Sequence, residues 1–162
     1  MYNLEVGQWH NFLVGCSGVV AHNGPCLNLA AEEALGGHSV LRHSPSRTIN
    51  EMEARIFGLH PQLPQSNKAY RFLSSEVQEN AINNAYNHYF TEIEAHFASG
   101  GKTKGWTFTH SQETGNGYIN LGTKDAVILS EIQTTSEVTI VFKPSTSSPK
   151  GYYLLTAHPG TP

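Results

Sequence analysis

Gly151-Tyr-Tyr-Leu-Leu-Thr-Ala-His158-Pro159 is a run of aromatic and aliphatic residues near the end of the sequence, and it predicts a β-strand. A second strand is predicted just upstream, in residues 138–142, where large apolar side chains alternate with Thr139 and Val141. The stretch between them, residues 145–150, is polar and contains a proline, as turns commonly do. The two strands are therefore expected to form an antiparallel hairpin.

The side chains of the last strand fall into two sets, because alternate residues of an extended strand share a face. The predicted faces are Leu154, Thr156 and His158 on one side, and Tyr153, Leu155 and Ala157 on the other. The hydroxyl of Thr156 is then expected beside the imidazole of His158. Pro159 ends the strand, which places His158 at an open rim, either as a reactive imidazole or simply as a solvated strand-end residue.

One long helix is predicted over Ser75–Ala98. Its apolar residues recur every four positions and form one stripe, at Val77, Ala81, Ala85, Tyr89, Ile93 and Phe97. Ser75 and Gln78 have the spacing of a capping box, and Gly100-Gly101 is expected to end the helix.

Two shorter helices are predicted earlier in the chain. The first covers residues 27–35 and stops at Gly36-Gly37. The second is expected to start at Asn50 as its N-cap, with Glu53 as the capping-box carboxylate, and to run to about Gly58.

Further strands are predicted at residues 106–110 and 126–132, and Gly115-Asn116-Gly117 is predicted to be a hairpin turn. The order of elements is thus helices first and antiparallel strands after. This order indicates an α+β domain, with N-terminal helices packed on a C-terminal antiparallel sheet.

The composition is typical of one folded domain. The chain has 162 residues, of which 38% are hydrophobic, and this is sufficient for one core. No apolar run is long enough to span a bilayer, so no membrane partner is expected. The two cysteines, Cys16 and Cys26, do not form a Cys-x-x-Cys motif, and no His-Glu-x-x-His motif is present. The sequence therefore predicts neither a metal nor another cofactor.

The net charge of −3 argues against a general nucleic-acid binder, which is normally basic. An enzyme, however, needs only a local positive cleft. The basic residues that could gather on one face are Arg42, Arg47, Arg55, Lys68, Arg71, Lys102 and Lys104.

Histidine titrates closest to neutral pH, so it is the usual side chain for taking and giving protons. His38 and His43 lie together in Gly36-Gly-His38-Ser-Val-Leu-Arg42-His43, and either could be a general base that works with His158. Arg55, on the second helix, could clamp a phosphate through two parallel hydrogen bonds. Alternatively, Arg55 could pair with Glu51 one helical turn away.

Residues 1–23 differ in character from the rest of the chain. They contain strand-like runs at residues 2–6 and Asn11–Val14 and close on His22-Asn23. This segment resembles the last strands of a Hint (intein-like, self-cleaving) domain, in which a terminal His-Asn pair marks the processing junction. The resemblance implies a remnant of a processing domain over residues 1–23 and a second domain over residues 24–162; an ordinary N-terminal hairpin is the alternative.

Four segments, in order, resemble the bacterial RNase A-like toxin domain, the C-terminal toxin of contact-dependent inhibition proteins and other polymorphic toxins. They are Gly36-Gly-His38-x-x-x-Arg42-His43, the helix that bears Arg55, Phe72-Leu-Ser-Ser75 with Ala81-Ile82, and the closing Gly151–Pro159 run. The resemblance covers about residues 34–160. It implies a pancreatic-ribonuclease-like α+β fold without its disulfides.

The resemblance also implies the activity and the site. The activity is metal-independent cleavage of RNA, with tRNA as a candidate target, through attack of the 2′-hydroxyl to give a 2′,3′-cyclic phosphate. The family's catalytic histidine corresponds to His43, its arginine to Arg55 and its strand threonine to Thr156, while its final position, usually tyrosine, is His158. The residues expected to bind substrate are His38, Arg42 and Tyr153.

The same resemblance implies that the chain is secreted as the C-terminal part of a larger effector and acts in the cytoplasm of a target cell. A cognate immunity protein is the implied protein partner. The alternatives are a toxin ribonuclease of the barnase/EndoU/colicin-type fold, a toxin of another chemistry such as an ADP-ribosyltransferase, and a non-catalytic binding module.

Overall fold

The computed structural model describes residues 26–161 and, before them, the backbone of two short strands. The predicted run at residues 2–6 and the predicted boundary at residue 23 lie outside the described residues. The helices are α1 (Leu29–Ala34), α2 (Ser39–His43), α3 (Ile49–Ile56) and α4 (Ser75–Ala98). The strands are β1 (Asn11–Val14), β2 (Val19–His22), β3 (Lys68–Phe72), β4 (Lys104–Thr109), β5 (Gly115–Ile119), β6 (Gln133–Thr135), β7 (Glu137–Pro144) and β8 (Tyr152–Pro159). None of the described helices combines the length and the hydropathy that a membrane span requires.

All strand pairs are antiparallel. The strands β1 and β2 pair with each other, a second sheet has the order β3-β5-β6, and a third has the order β4-β7-β8. The predicted hairpin is confirmed as β7 and β8, and the predicted α+β class is confirmed as well. The order of elements differs from the prediction in one respect, since the strand β3 lies between α3 and α4.

The main core lies between α4 and the β4-β7-β8 sheet. Its buried side chains are Ala81, Ile82, Ala85, Tyr86 and Ile93 from α4, Trp106, Val138, Ile140, Phe142, Tyr152, Leu154 and Ala157 from the sheet, and Leu27 and Phe72 from outside both. The predicted stripe belongs to this face, but Ile82 and Tyr86 are buried more deeply than Val77 and Tyr89. The reason is that a helix has 3.6 residues per turn, so a strict four-residue repeat drifts off the buried face. Burial of each large apolar side chain stabilises the fold by about 1.5–3 kcal/mol.

The predicted helix caps are wrong by one or two residues. The helix α3 begins after Thr48, whose hydroxyl accepts from the Glu51 amide while the Glu51 carboxylate accepts from the Thr48 amide. The predicted pair, Asn50 and Glu53, has the same spacing but lies inside the helix. Ser74 caps α4, one residue before the predicted Ser75.

Two predicted elements of the strand-rich half are also wrong. The glycines at 115–117 lie inside β5, and a side chain at Gly117 would come within about 2.0 Å of the Ala69 carbonyl oxygen. Glycine is therefore required there by the close approach of two strands and not by a turn. Residues 126–132 form no strand, because Ile128 and Ile132 point to solvent and the segment loops back onto the Asn120 side chain.

A β-bulge changes the predicted faces of the last strand. The register of β8 against β7 shifts so that Thr156 pairs with Val141 and Leu154 pairs with Phe142, which leaves Leu155 as the extra residue. Leu154 therefore lies in the core, on the face opposite Thr156 and His158, contrary to the prediction. The prediction that Thr156 and His158 share a face is correct.

The outer edge of β8 has no neighbouring strand in the sheet order and is covered by residues of α1 and α2 and of the turn between them. The buried carboxylate of Glu32 accepts from the Leu154 amide at 2.7 Å, and the His38 amide donates to the Leu155 carbonyl at 2.9 Å. Between them, a side chain at Gly37 would come within about 2.6 Å of the Leu154 carbonyl oxygen. These contacts bring α2 directly against the strand that carries His158.

The capping assignment predicts the effect of two alanine substitutions. Thr48→Ala should lower the free energy of unfolding by about 1 kcal/mol, because it removes the capping hydroxyl. Asn50→Ala, at the exposed position predicted from sequence, should change it by less than about 0.5 kcal/mol. Urea denaturation of both variants measures the difference, and a larger loss for Asn50→Ala would contradict the observed cap.

Candidate active site

A cleft of about 400 Å³ lies between α2, α3, the start of β3 and the end of β8. Its lining residues are His38, Arg42, His43, Arg55, Ser66, Asn67, Lys68, Tyr70, Thr156, His158, Pro159 and Thr161. All four residues predicted to be catalytic are among them, and so are two of the three predicted to bind substrate. The structure thus brings together the two ends of the domain, as the sequence reasoning required.

Tyr153, the third residue predicted to bind substrate, does not line this cleft. The bulge at Leu155 places it on the same sheet face as Thr156, but farther from the end of the strand. Its hydroxyl lies beside Gly36, and the residue is almost fully buried there.

His43 lies at the C-terminal end of α2 and is buried. Its Nδ1 is 2.8 Å from the Tyr70 carbonyl oxygen, and a carbonyl can only accept, so Nδ1 carries the hydrogen. The neutral ring therefore keeps the lone pair of Nε2 available. Burial is the largest cause that holds the pKa of His43 well below its ordinary value, and the neighbouring His158 adds to this effect.

His158 lies opposite His43 on β8, and the two ring centroids are 5.4 Å apart. Its Nδ1 is 3.1 Å from the Pro159 carbonyl oxygen, which again assigns the hydrogen to Nδ1. Burial lowers the pKa of His158, the carbonyl contact opposes this, and the charges of Arg55 and Lys68 lower it further.

His38 precedes the first turn of α2 and lies one helical turn before Arg42. Partial burial, followed by the charges of Arg42 and Arg55, lowers the pKa of His38 to about 4. At neutral pH His38 is therefore uncharged. Both His38 and His43 line the cleft, so the structure leaves both candidates for the general base in place.

The cleft is a site of positive charge in a protein whose net charge is −3. Arg42, Arg55 and Lys68 line it, and none of the described lining residues is acidic. Arg42 Nε, Arg55 Nη1 and Thr156 Oγ1 are buried atoms with no hydrogen-bond partner in the part of the chain that the structure describes. Two of these groups are cationic donors, and the third is a hydroxyl. Because buried polar atoms normally have partners, this arrangement favours an anionic ligand.

Arg55 is not used in the ion pair that the sequence offered as an alternative. Glu51 pairs with Arg47 at 2.9 Å, and Arg55 donates from Nε to the Pro64 carbonyl oxygen at 3.4 Å. Its Nη1 is buried without a hydrogen-bond partner among the described residues, and Arg55 lines the cleft. Burial is also the largest cause that lowers the pKa of Arg55.

Several lining residues were not singled out as site residues from the sequence: Ser66, Asn67, Lys68, Tyr70 and Thr161. They come from the loop before β3, from β3 itself and from the residues after β8. The strand β3 was not predicted from the sequence. It contacts β8, so Lys68 and Tyr70 line the cleft together with His158. Lys68 also bonds through Nζ to Thr161 Oγ1 at 3.3 Å, across the mouth of the cleft.

The structure is similar to a solved one. One chain of the crystal structure of a CdiA-CT/CdiI complex from Y. kristensenii 33638 shares the fold, with a TM-score of 0.59 and 18% sequence identity. The similarity covers 77% of this chain and 100% of that chain. No protein-family model and no curated protein matches the chain. At this level of identity the likeness establishes the fold.

The arrangement of the cleft is suited to proton transfer beside a bound anion. Two imidazoles face each other, each with Nδ1 held by a carbonyl, and guanidinium and ammonium groups surround them. Within residues 26–161 no cluster of three or more histidine, cysteine or carboxylate side chains could hold a metal ion. The groups that line the cleft are acids, bases and cations.

The lowered histidine pKa values predict how stability depends on pH. As pH falls from about 6.5 to about 4, His38 takes up a proton in the unfolded chain but stays neutral in the folded one. The free energy of unfolding should therefore fall as the pH falls across this window. The fall should begin between pH 6.5 and 5, where most carboxylates do not yet titrate. Urea denaturation at a series of pH values measures it, and His38→Asn should give a shallower slope. A wild-type protein that becomes more stable as pH falls through this window would contradict the assignment.

Proposed function

We propose that residues 24–162 form a metal-independent endoribonuclease of the RNase A-like type. The observation that carries this proposal is the pair of imidazoles of His43 and His158, with centroids 5.4 Å apart in a cation-rich cleft. Cleavage of RNA through its own 2′-hydroxyl needs one group to remove a proton, one to supply a proton, and positive charge beside the phosphate. Residues that line this cleft offer a group for each of these three roles.

The reaction uses the free Nε2 atoms of the two histidines. His43 Nε2 removes the proton of the ribose 2′-hydroxyl, and the 2′-oxygen forms a bond to the neighbouring phosphorus. The bond from phosphorus to the 5′-oxygen breaks, and the protonated His158 gives its Nε2 proton to that leaving oxygen. The products are a 2′,3′-cyclic phosphate and a free 5′-hydroxyl end. DNA is not cleaved in this way because it lacks the attacking hydroxyl.

His158 must be protonated before it can act as the acid. Its pKa is lowered by burial and by the charges of Arg55 and Lys68. A bound phosphodiester brings a negative charge between these cations, and this raises the pKa of His158 towards neutrality. His43 is buried and remains neutral, as a base must. Substrate binding thus favours the protonation states that the reaction requires.

The remaining groups act on the phosphate. Arg55 Nη1 and Thr156 Oγ1, both buried and without a partner among the described residues, donate to the oxygens that gain charge in the transition state. His38 and Arg42, on the adjacent turn of α2, contact the neighbouring part of the RNA. The net negative charge of the protein favours a defined RNA, such as a tRNA, over general binding to nucleic acid.

The biological role that fits this activity is that of an interbacterial toxin. Two observations support it: the fold is similar to a chain of a CdiA-CT/CdiI complex, and residues 1–23 resemble the end of a Hint domain. In this role the chain is the C-terminal part of a secreted effector, acts in the cytoplasm of the target cell and is neutralised by a cognate immunity protein.

The ribonuclease activity predicts the behaviour of three alanine variants. Purified protein should cleave total RNA in EDTA and leave 2′,3′-cyclic phosphate ends. His43→Ala and His158→Ala should each reduce the rate by on the order of 10²–10⁴-fold. His88→Ala, which removes an exposed imidazole of α4 outside the cleft, should retain the wild-type rate. Mapping the cleaved ends identifies the chemistry.

Other outcomes separate the alternatives. Intact RNA after incubation with folded protein would contradict the ribonuclease and favour a binding module. An ADP-ribosyltransferase requires NAD, so cleavage of bare RNA without added cofactor excludes it. A ribonuclease of the barnase type would give the same ends, so this test addresses the chemistry that the two ribonucleases share.

The toxin role predicts a growth phenotype. Expression of residues 24–162 in a bacterium should arrest growth, and co-expression of the gene immediately downstream in the source genome should relieve the arrest. The His43→Ala variant provides the control, because it should allow growth without the downstream gene. Normal growth with the active wild-type chain would contradict the role, even if the purified protein cleaves RNA.

A further inference from the structure

Ser39 is buried, with only 2% of its surface exposed, at the start of α2. Its hydroxyl oxygen accepts a hydrogen bond of 2.7 Å from the backbone amide of Ala157, on the outer edge of β8. This is a side-chain contact between α2 and β8, in addition to the backbone bond from His38 to Leu155. It lies beside the candidate active site without lining the cleft.

The position of this hydrogen bond relates it directly to the two imidazoles. Ser39 and His43 are four residues apart on α2, so their side chains lie on the same face, one turn apart. Ala157 and His158 are consecutive residues of β8. The Ser39–Ala157 bond and the His43–His158 ring pair are therefore successive contacts between the same helix and the same strand.

The ring of His43 and the backbone of Ser39 have further contacts, whereas α2 and β8 are joined by the His38–Leu155 backbone bond and, closer to His158, by the Ser39–Ala157 bond. The Tyr70 carbonyl holds Nδ1 of His43, and Gln78 Nε2 donates to the Ser39 carbonyl at 3.4 Å. Both contacts come from elements other than β8. The Ser39 hydroxyl is the contact that joins α2 to the residue next to His158.

We propose that Ser39 is a positioning residue, which holds His43 at its working separation from His158. The proposal rests on the ribonuclease function argued above. Ser39→Ala leaves the Ala157 amide buried without its hydrogen-bond partner, which is energetically unfavourable. We expect α2 to move relative to β8 so that this amide finds another partner. A misplacement of catalytic groups by about 1 Å can reduce the rate by about 10²-fold.

The kinetic test compares Ser39→Ala with the wild-type protein on RNA. We expect kcat to fall by about 10²-fold. KM should change less than kcat, because Arg55 binds the phosphate from α3, whereas only His38 and Arg42 move with α2. Ser39→Thr retains the hydroxyl and should recover most of the lost kcat. A Thr variant that is as stable to urea as the wild-type protein but as slow as the Ala variant would show that the hydroxyl is not what matters.

Ser148→Ala is the matched control. Ser148 is also a buried serine whose hydroxyl faces a backbone amide, that of Lys150, but it lies in the turn at the far end of the β7–β8 hairpin. This control should keep the wild-type kcat. An equal loss of kcat in both serine variants would attribute the effect to general loosening of the fold and overturn the proposal.

A readout that does not depend on activity separates this proposal from the ribonuclease proposal. With histidine rings labelled for NMR, the wild-type protein should give a nuclear Overhauser effect between the rings of His43 and His158. Ser39→Ala should weaken it, and Ser148→Ala should not. A wild-type protein without ribonuclease activity but with this pattern would contradict the function and leave the positioning role intact. An unchanged effect together with unchanged kcat in Ser39→Ala would overturn the role of Ser39.

Discussion

An edge strand carries backbone groups that need hydrogen-bond partners, and those of β8 find them in α1 and α2 instead of in another strand. Glu32 accepts from Leu154, and Ser39 accepts from Ala157. This covering determines where α2 lies, and the position of α2 determines where His43 lies. The cleft thus depends on the way in which α1 and α2 cover the outer edge of β8.

The charge of the cleft has the opposite sign to the net charge of the protein. The chain is acidic, but its cleft combines two arginines, one lysine and three histidines without a carboxylate among the described lining residues. Placing so many basic groups together causes electrostatic repulsion. The repulsion is reduced because burial lowers the pKa values of the histidines and keeps them neutral. When an anion binds to this positive site, its charge raises the pKa values of the nearby histidines and so changes how many protons they hold.

The elements that could be predicted from sequence are those with a strong local signal. The stripe of α4 and the alternation of β7 have such a signal, and both lie close to the predicted positions. The caps of α3 were misplaced because Thr48 and Asn50 offer the same chemistry two residues apart. The glycines of β5 have the sequence pattern of a turn. The reason for Gly117 is the close approach of Ala69, which is distant in the sequence.

The candidate site could be predicted in part for the same reason. His43, Arg55 and His158 were identified through motifs, whereas Lys68 and Tyr70 enter the cleft because β3 contacts β8. The bulge at Leu155 carries no sequence signal that separates it from a regular strand, so Leu154 was assigned to the wrong face. Pairing between distant segments, which local patterns do not encode, accounts for each of these errors.

The covering of β8 by α1 and α2 joins the first helices of the domain to its final strand. Contacts between distant parts of a chain are slow to form, since a long loop must close first. The complete cleft therefore exists only once the C-terminal strand has been synthesised and has docked. A nascent chain, or a fragment that ends before Tyr152, still contains His43 but lacks β8, the strand against which α2 packs.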